Sequence, residues 1–97
     1  MKISPSETVI SGRWIEDRGR VVGDQTCERI DALIQTHLEE LGRDLSGWDA
    51  LYRDPDDGRL WELVYPQSEL HGGGPPQLRA LTIHEAKQKY GDVVGNS

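Results

Sequence analysis

The 97-residue chain has one cysteine, no apolar run long enough to cross a membrane, and fewer basic than acidic residues. With Cys27 alone, no disulfide can form within the chain, which favours a reducing compartment, and we expect the cytoplasm. A membrane-spanning helix needs about 20 consecutive apolar residues, so no membrane segment is predicted. The opening residues MKISPSE also lack the apolar segment of a secretory signal peptide.

The charge balance is acidic. Eleven Lys and Arg residues stand against seventeen Asp and Glu residues, giving a formal net charge of −6. Such a surface repels phosphate backbones, so direct binding of nucleic acid is not expected. It suits a basic protein partner and speeds its approach, although the same charge also keeps a small protein soluble.

The length and the composition predict one folded domain. An apolar fraction of 35% is ordinary for a globular protein, and 97 residues allow one modest core. No repeat and no domain boundary interrupts the sequence. We therefore expect a single domain over residues 1–97, with residues 1–8 and 92–97 as loose ends.

The segment 48–76 predicts a hairpin rich in aromatic residues. Asp54-Pro55-Asp56-Asp57-Gly58 is typical of a tight turn, because proline presets the backbone and glycine accepts positive φ. A loop over residues 55–58 pairs Asp54 with Arg59, Tyr52 with Trp61, Ala50 with Leu63, and Trp48 with Tyr65. Side chains alternate along a strand, so this register gives one apolar face, expected to be core, and one mixed face, expected to be partly exposed. The apolar face holds Trp48, Ala50, Tyr52, Trp61, Leu63 and Tyr65; the mixed face holds Asp49, Leu51, Arg53, Leu60, Glu62 and Val64.

A long amphipathic helix is predicted over residues 25–41. Apolar residues and a histidine recur there at steps of three and four, and Gly42 follows as a terminating residue. Either Asp24 or Thr26 could cap its start. We expect this stripe to lie across the aromatic face of the hairpin; it consists of Cys27, Ile30, Leu33, Ile34, His37, Leu38 and Leu41.

The remaining elements complete an α+β fold. One strand is predicted over residues 9–16, a turn at 17–19 and a return strand at 20–22. After the hairpin come a strand at 77–82 and a short helix at 83–90 that ends at Gly91. The predicted fold is an antiparallel sheet of about four to five strands, with the main helix and the short C-terminal helix packed on it.

Few residues suggest catalysis. Cys27 is expected to be an inert core thiol, His37 to lie at the edge of the core, and His84 to be solvated. Glu69 and His71, beside three glycines, could bind a metal or move protons, yet three or four ligands at a recognised spacing are missing. No phosphate-binding loop or nucleophile elbow is present. The sequence therefore predicts no catalytic residue, no metal ligand and no cofactor.

Two segments have more than one interpretation. The glycine-proline segment at 72–76 is either a surface loop between strands or a loop that touches a partner. Between Glu39 and Asp57, seven acidic residues stand against Arg43 and Arg53. This cluster is either a solvated face or a docking patch for a basic protein, centred on the turn and on Glu62.

The chain resembles a known family over residues 11–91. The motifs that carry this resemblance are Gly12-Arg13-Trp14, Gly23-Asp24, Glu28-Arg29-Ile30, Ser46-Gly47-Trp48, Leu51-Tyr52-Arg53-Asp54-Pro55, Asp57-Gly58-Arg59, Trp61-Glu62-Leu63, Tyr65-Pro66-Gln67-Ser68-Glu69 and His71-Gly72-Gly73-Gly74-Pro75-Pro76. As a set they resemble the immunity proteins of bacterial polymorphic toxin systems, specifically immunity protein family 27. One departure from the family pattern is Leu60, where an aromatic residue is expected.

The resemblance implies a non-enzymatic antidote that binds the C-terminal domain of a toxin and blocks its active site or an essential surface. The partner would be a cognate toxin domain. The acidic charge of the chain, rather than the resemblance, suggests a toxin with a basic surface, such as a nuclease or another nucleic-acid-directed toxin, because a basic cleft would complement an acidic inhibitor. We expect the free antidote to be a monomer or weak dimer. We expect toxin contacts at Asp54, Asp56, Asp57, Glu62, Glu69 and His71, and core positions at Trp14, Trp48, Tyr52, Trp61, Leu63 and Tyr65. The alternatives are a regulator that binds a peptide or subunit, and a metal-dependent hydrolase that uses Glu69 and His71.

Overall fold

The computed structural model describes residues 2–67, 74–91 and 94. In this part of the chain, five strands form one antiparallel sheet in the order β1-β7-β6-β5-β4, and β2 and β3 form a separate two-stranded sheet, here called the arm. The predicted α+β fold is confirmed. The elements in chain order are β1 (Val9–Ser11), β2 (Trp14–Asp17), β3 (Arg20–Gly23), α1 (Gln25–Thr36), β4 (Glu39–Arg43), β5 (Ala50–Arg53), β6 (Leu60–Val64), β7 (Gln77–Leu81) and α2 (Ile83–Tyr90).

The central hairpin has the predicted register. Tyr52 pairs with Trp61, and Ala50 pairs with Leu63. At the turn, the Asp54 amide donates to the Arg59 carbonyl at 2.9 Å, and Gly58 has a φ of +77°. The turn chemistry therefore fixes both the position of the loop and the face to which each side chain points.

Helix α1 covers the aromatic face of the sheet, as predicted. Ile30 and Leu33 pack there with Tyr52, Trp61 and Leu63 in the main core cluster. The apolar face of β5 and β6 and the apolar stripe of α1 point toward each other, so these five residues pack into one core.

The prediction that Trp14 and Trp48 lie in the core is wrong. Trp14 is 39% exposed and Trp48 is 62% exposed. Trp14 belongs to the arm, which stands outside the main sheet, and Trp48 precedes the start of β5. Tyr65 is partly buried and packs against the main cluster, and it meets the Trp48 ring edge to face at a centroid distance of 6.1 Å.

The second face of the hairpin is buried, not partly exposed. Leu51 and Leu60 join a second core cluster with Ala86 and Tyr90 of α2. Glu62, on the same face, is 0% exposed. The expectation for the mixed face is wrong because α2 covers it, so the sheet has a helix on each side.

The helix predicted over residues 25–41 is too long, because a strand begins before residue 41. Helix α1 ends at Thr36 with His37 as its C-terminal cap, and the Leu38 amide donates to the Leu33 carbonyl at 2.7 Å. The following residues form β4, which pairs with β5. Gly42 does not terminate a helix; it lies where the β4–β5 register shifts. Of the two candidate caps, Asp24 is the one observed, and its carboxylate accepts from the Cys27 amide at 3.0 Å.

The N-terminal segment differs from the expected loose end at residues 1–8 and from the expected strand over residues 9–16. The single strand expected over residues 9–16 is broken at Gly12, whose amide donates to the Pro76 carbonyl at 2.9 Å. Residues 2–8 are not a loose lead, because Ile3 is buried in the main cluster and Glu7 binds Arg29 at 2.7 Å. At the other end, Val94 is buried in the second cluster.

The last strand and helix agree with the sequence. Strand β7 is Gln77–Leu81, and Thr82 caps α2 in a reciprocal capping box with Glu85. Gly91 follows with a φ of +63°. None of the described helices has the length and apolar character needed to cross a membrane.

Candidate binding surfaces and a histidine–aspartate cluster

Asp54 supports the turn rather than the surface. The residue is 1% exposed, and its Oδ1 accepts from the Asp56 amide at 2.8 Å. The same Oδ1 lies 3.0 Å from Nε2 of His37. The expectation that Asp54 is an exposed contact residue is therefore wrong, because its carboxylate points inward at the turn.

Asp56 and Asp57 do reach the surface. The Asp57 carboxylate accepts from the Arg59 amide at 3.0 Å and from Arg59 Nε at 2.8 Å. The hydrogen bond from the Arg59 backbone, helped by the guanidinium, lowers the pKa of Asp57. The Asp56 side chain is 50% exposed, and its Oδ2 lies 3.6 Å from His37 Nε2.

Glu62 cannot be a surface contact in this fold. Its Oε1 is 2.7 Å from Arg79 Nη2, and its Oε2 is 2.6 Å from both Lys89 Nζ and the Tyr90 hydroxyl. Burial raises the pKa of Glu62, but the hydrogen bonds from Lys89, Tyr90 and Arg79 outweigh it, so the net pKa lies below its usual value. Burial, and then the bond to Glu62, raises the pKa of Tyr90.

The acidic cluster between Glu39 and Asp57 is largely paired within the chain. Ion pairs join Glu39 to Arg53, Glu40 to Arg43, Asp49 to Lys89 and Asp57 to Arg59, at 2.7–3.1 Å. Two of these cations, Arg59 and Lys89, come from outside the segment, so local charge counting missed them. The cluster therefore carries much less unpaired negative charge than its composition indicates.

Two predicted contacts, Glu69 and His71, lie outside the described residues, as does most of the glycine segment. The structure gives no geometry for them. Their proposed roles, in toxin contact or in metal chemistry, remain predictions from sequence.

Unpaired negative charge occurs beside the arm. A cleft of about 480 Å³ opens between the arm, α1 and the segment before β7, with Trp14, Tyr65 and Pro76 among its walls. Glu28 and Asp31 of α1 line the same cleft. Both are exposed, and neither forms an ion pair with any residue that the structure describes. We call this feature the arm cleft.

Further apolar surface adjoins the cleft on the arm itself. Ile15 is 46% exposed and Val21 is 71% exposed. Cys27 lies in the wall of the cleft but is buried, as predicted, and burial raises the pKa of its thiol. The neutral thiol is therefore favoured, which agrees with a packing role.

A three-residue cluster brings together groups that the sequence keeps apart. His37, Asp54 and Asp56 each offer a potential metal-ligand atom, and these atoms all lie within 4.8 Å of one another. The other carboxylate oxygen of Asp54, Oδ2, is buried and has no hydrogen-bond partner in the described part of the chain. No local spacing indicates this cluster, because His37 ends α1 whereas the aspartates belong to the β5–β6 turn.

Comparison with known protein families identifies the family of this chain. A sequence model of the family described as Immunity protein 27 matches residues 16–82, more than two thirds of the chain, from within β2 to the cap of α2. No curated protein and no solved structure matches. The resemblance seen in the sequence is confirmed, and the chain belongs to the Immunity protein 27 family.

Proposed function

We propose that the protein is an antidote that binds a cognate toxin domain in the cytoplasm and blocks its active site or an essential surface. The family match over residues 16–82 carries this proposal, because immunity proteins are generally non-enzymatic and act by binding a toxin. Neutralisation would protect the producing cell and its kin. The partner is a toxin domain with a basic surface, since the chain has a net charge of −6.

The arm cleft is the surface we assign to toxin contact. Trp14 and Tyr65 offer aromatic faces, and Glu28 and Asp31 offer two carboxylates without an ion-pair partner among the described residues. A lysine or arginine side chain of the toxin would meet both kinds of group there. Partly exposed aromatic residues also commonly carry much of the energy of protein interfaces.

Asp56 and Asp57 are proposed as a second, peripheral contact. They are exposed at the turn, but Asp57 is already bound to Arg59. Charges at the edge of an interface mainly steer the approach of the partner, so their effect is on the association rate. Reversing both charges should slow association and weaken protection without unfolding the domain.

The function is tested by co-expressing the chain with the large gene immediately upstream. Cells should die with the upstream gene alone, survive when both are expressed, and yield one complex on purification. A harmless neighbour, or a neighbour that kills in the presence of this chain, would contradict the antidote function and favour a regulator that binds another peptide or subunit.

The contact surface is tested with two double variants that change the net charge equally. Glu28→Lys with Asp31→Lys should abolish co-purification, because two carboxylates facing a basic group become cations. Asp56→Lys with Asp57→Lys should keep the complex but slow its formation. Circular dichroism checks that both variants fold. If the first pair protects cells as well as the wild type, the arm cleft is not the toxin site.

A further inference from the structure

We propose that His37, Asp54 and Asp56 form a binding site for a divalent first-row transition ion such as Zn²⁺. The site lies where the end of α1 meets the β5–β6 turn. It is separate from the arm cleft. It shares Asp56 with the proposed peripheral contact, but metal binding does not depend on toxin binding.

The distances in the cluster match those between ligands of one ion. His37 Nε2 is 3.0 Å from Asp54 Oδ1 and 3.6 Å from Asp56 Oδ2. Nitrogen and oxygen ligands held about 2.0–2.2 Å from a zinc ion lie roughly 3.3–3.6 Å apart at tetrahedral angles and roughly 2.8–3.1 Å apart at the right angles of a site with more ligands. The two observed distances fall in these two ranges. A hydrogen bond alone explains the first distance, but it does not explain why a second carboxylate, that of Asp56, faces the same imidazole nitrogen.

The state of Asp54 gives a second, independent reason. Its side chain is 1% exposed, and Oδ2 is buried without a hydrogen-bond partner in the described residues. A buried carboxylate oxygen that lacks a donor is costly. A cation bound by both oxygens of this carboxylate would compensate that cost and would replace the hydrogen bond between His37 and Asp54.

The ligands are held in place by the backbone around them. His37 caps α1, and its amide donates to the Leu33 carbonyl at 3.0 Å. Asp54 is fixed from both sides, since its amide donates to Arg59 at 2.9 Å and its carbonyl accepts from Gly58 at 2.8 Å. Little ordering remains to be done when an ion binds, which favours affinity.

The donor set indicates the class of ion. One imidazole with two carboxylates suits zinc, manganese, iron, cobalt or nickel, whereas calcium and magnesium prefer oxygen ligands alone. Three protein ligands leave at least one position for water, and the half-exposed Asp56 side chain gives solvent access to it. Because such an ion would join α1 to the turn, its binding should raise the unfolding temperature.

The test is a calorimetric titration of untagged, chelator-treated protein with Zn²⁺, repeated with Mg²⁺ and followed by thermal unfolding. We expect one equivalent of Zn²⁺ to bind and the unfolding temperature to rise. Asp56→Asn should weaken Zn²⁺ binding by about 100-fold, since replacing even a residue that only supports a metal ligand costs about 10–100-fold. This variant leaves intact the bond from the Asp56 amide to Asp54 and should fold.

The controls distinguish this site from other histidines and acids. His84→Gln removes an exposed histidine of α2 and should leave Zn²⁺ binding unchanged, whereas His37→Gln should abolish it. If His37→Gln does not fold, Asp56→Asn decides the outcome. The proposal is overturned if the wild type does not bind Zn²⁺, if Asp56→Asn binds it equally well, or if His84→Gln abolishes binding. Equal affinity for Mg²⁺ would overturn the assigned class of ion.

Discussion

Glu62 is a charged side chain enclosed by the second core cluster and still ionised. Removing a carboxylate from water costs several kcal/mol unless its partners compensate. Three partners from β7 and α2 contact its two oxygens at 2.6–2.8 Å. The cations keep part of their side chains in water, with Arg79 47% and Lys89 34% exposed. Their incomplete desolvation lowers the cost of the whole arrangement.

We predict that Glu62→Gln lowers the free energy of unfolding by about 2 kcal/mol, because the amide replaces one oxygen that accepts hydrogen bonds with a donating NH₂ group, and hydrogen bonds to charged groups contribute about that much. The neutral amide would lose the attraction of Arg79 and Lys89, and α2 would be held less firmly to the sheet. Urea unfolding followed by tryptophan fluorescence measures the change.

Glu39→Gln is the matched control for this substitution. Glu39 pairs with Arg53 at 3.0 Å, but its side chain is 51% exposed. An exposed ion pair contributes about 0–1 kcal/mol, so this variant should be close to the wild type. Equal losses for the two variants would show that burial does not determine the contribution of Glu62.

Among the elements, those set by local chemistry were predictable. The β5–β6 turn follows from proline and glycine at fixed positions, and the register follows from alternation along the strands. Helix α2 begins at a capping box that is visible in the sequence as Thr82 and Glu85. Each of these signals lies within a few residues of the structure that it determines.

The errors arose where distant segments compete. Leu38 and Leu41 continue the helical period of α1, yet β4 pairs with β5 and places Leu41 against the second core cluster. Glu62 was assigned to the surface because nothing nearby in the sequence shows which face of the sheet α2 covers. The arm cleft and the His37–Asp54–Asp56 cluster also join segments far apart in sequence, so neither could be predicted.

The capping box offers a test at the level of α2. The Thr82 hydroxyl accepts from the Glu85 amide at 3.1 Å, and the Glu85 carboxylate accepts from the Thr82 amide at 2.9 Å. Thr82→Ala should therefore lower the free energy of unfolding by about 1 kcal/mol. Chemical denaturation with circular dichroism detects this change.

Thr36→Ala is the control for the cap. Its hydroxyl donates to the Ala32 carbonyl at 2.6 Å at the exposed end of α1, where it satisfies no free helical amide. A change within about 0.5 kcal/mol is expected there, as for other surface substitutions. A larger loss for Thr36→Ala than for Thr82→Ala would contradict the role of the cap.

For the whole molecule, hydrogen-bonded carboxylates determine the response to acid. Several acidic groups have a pKa below its usual value in the folded state, because backbone or side-chain donors bind their charged form: Glu7, Asp24, Asp44, Asp57, Glu62 and Glu85. The unfolded chain therefore takes up more protons as the pH falls. Stability should be greatest above about pH 5 and should decline steadily below it.

Glu7 provides the clearest single contribution, because the hydrogen bond from Arg29 lowers its pKa from 4.5 to about 2. Its stabilising effect is fully present above pH 4.5 and is lost as the pH falls towards 2. Glu7→Gln should thus be less stable than the wild type at neutral pH, and the two curves should converge towards pH 2. Urea unfolding across this pH range measures the free energy of unfolding of the variant and of the wild type. Glu16→Gln on the arm is the control, and its stability should stay close to that of the wild type. A constant gap between the curves of Glu7→Gln and the wild type would mean that the charge of Glu7 does not hold the N-terminal segment to α1.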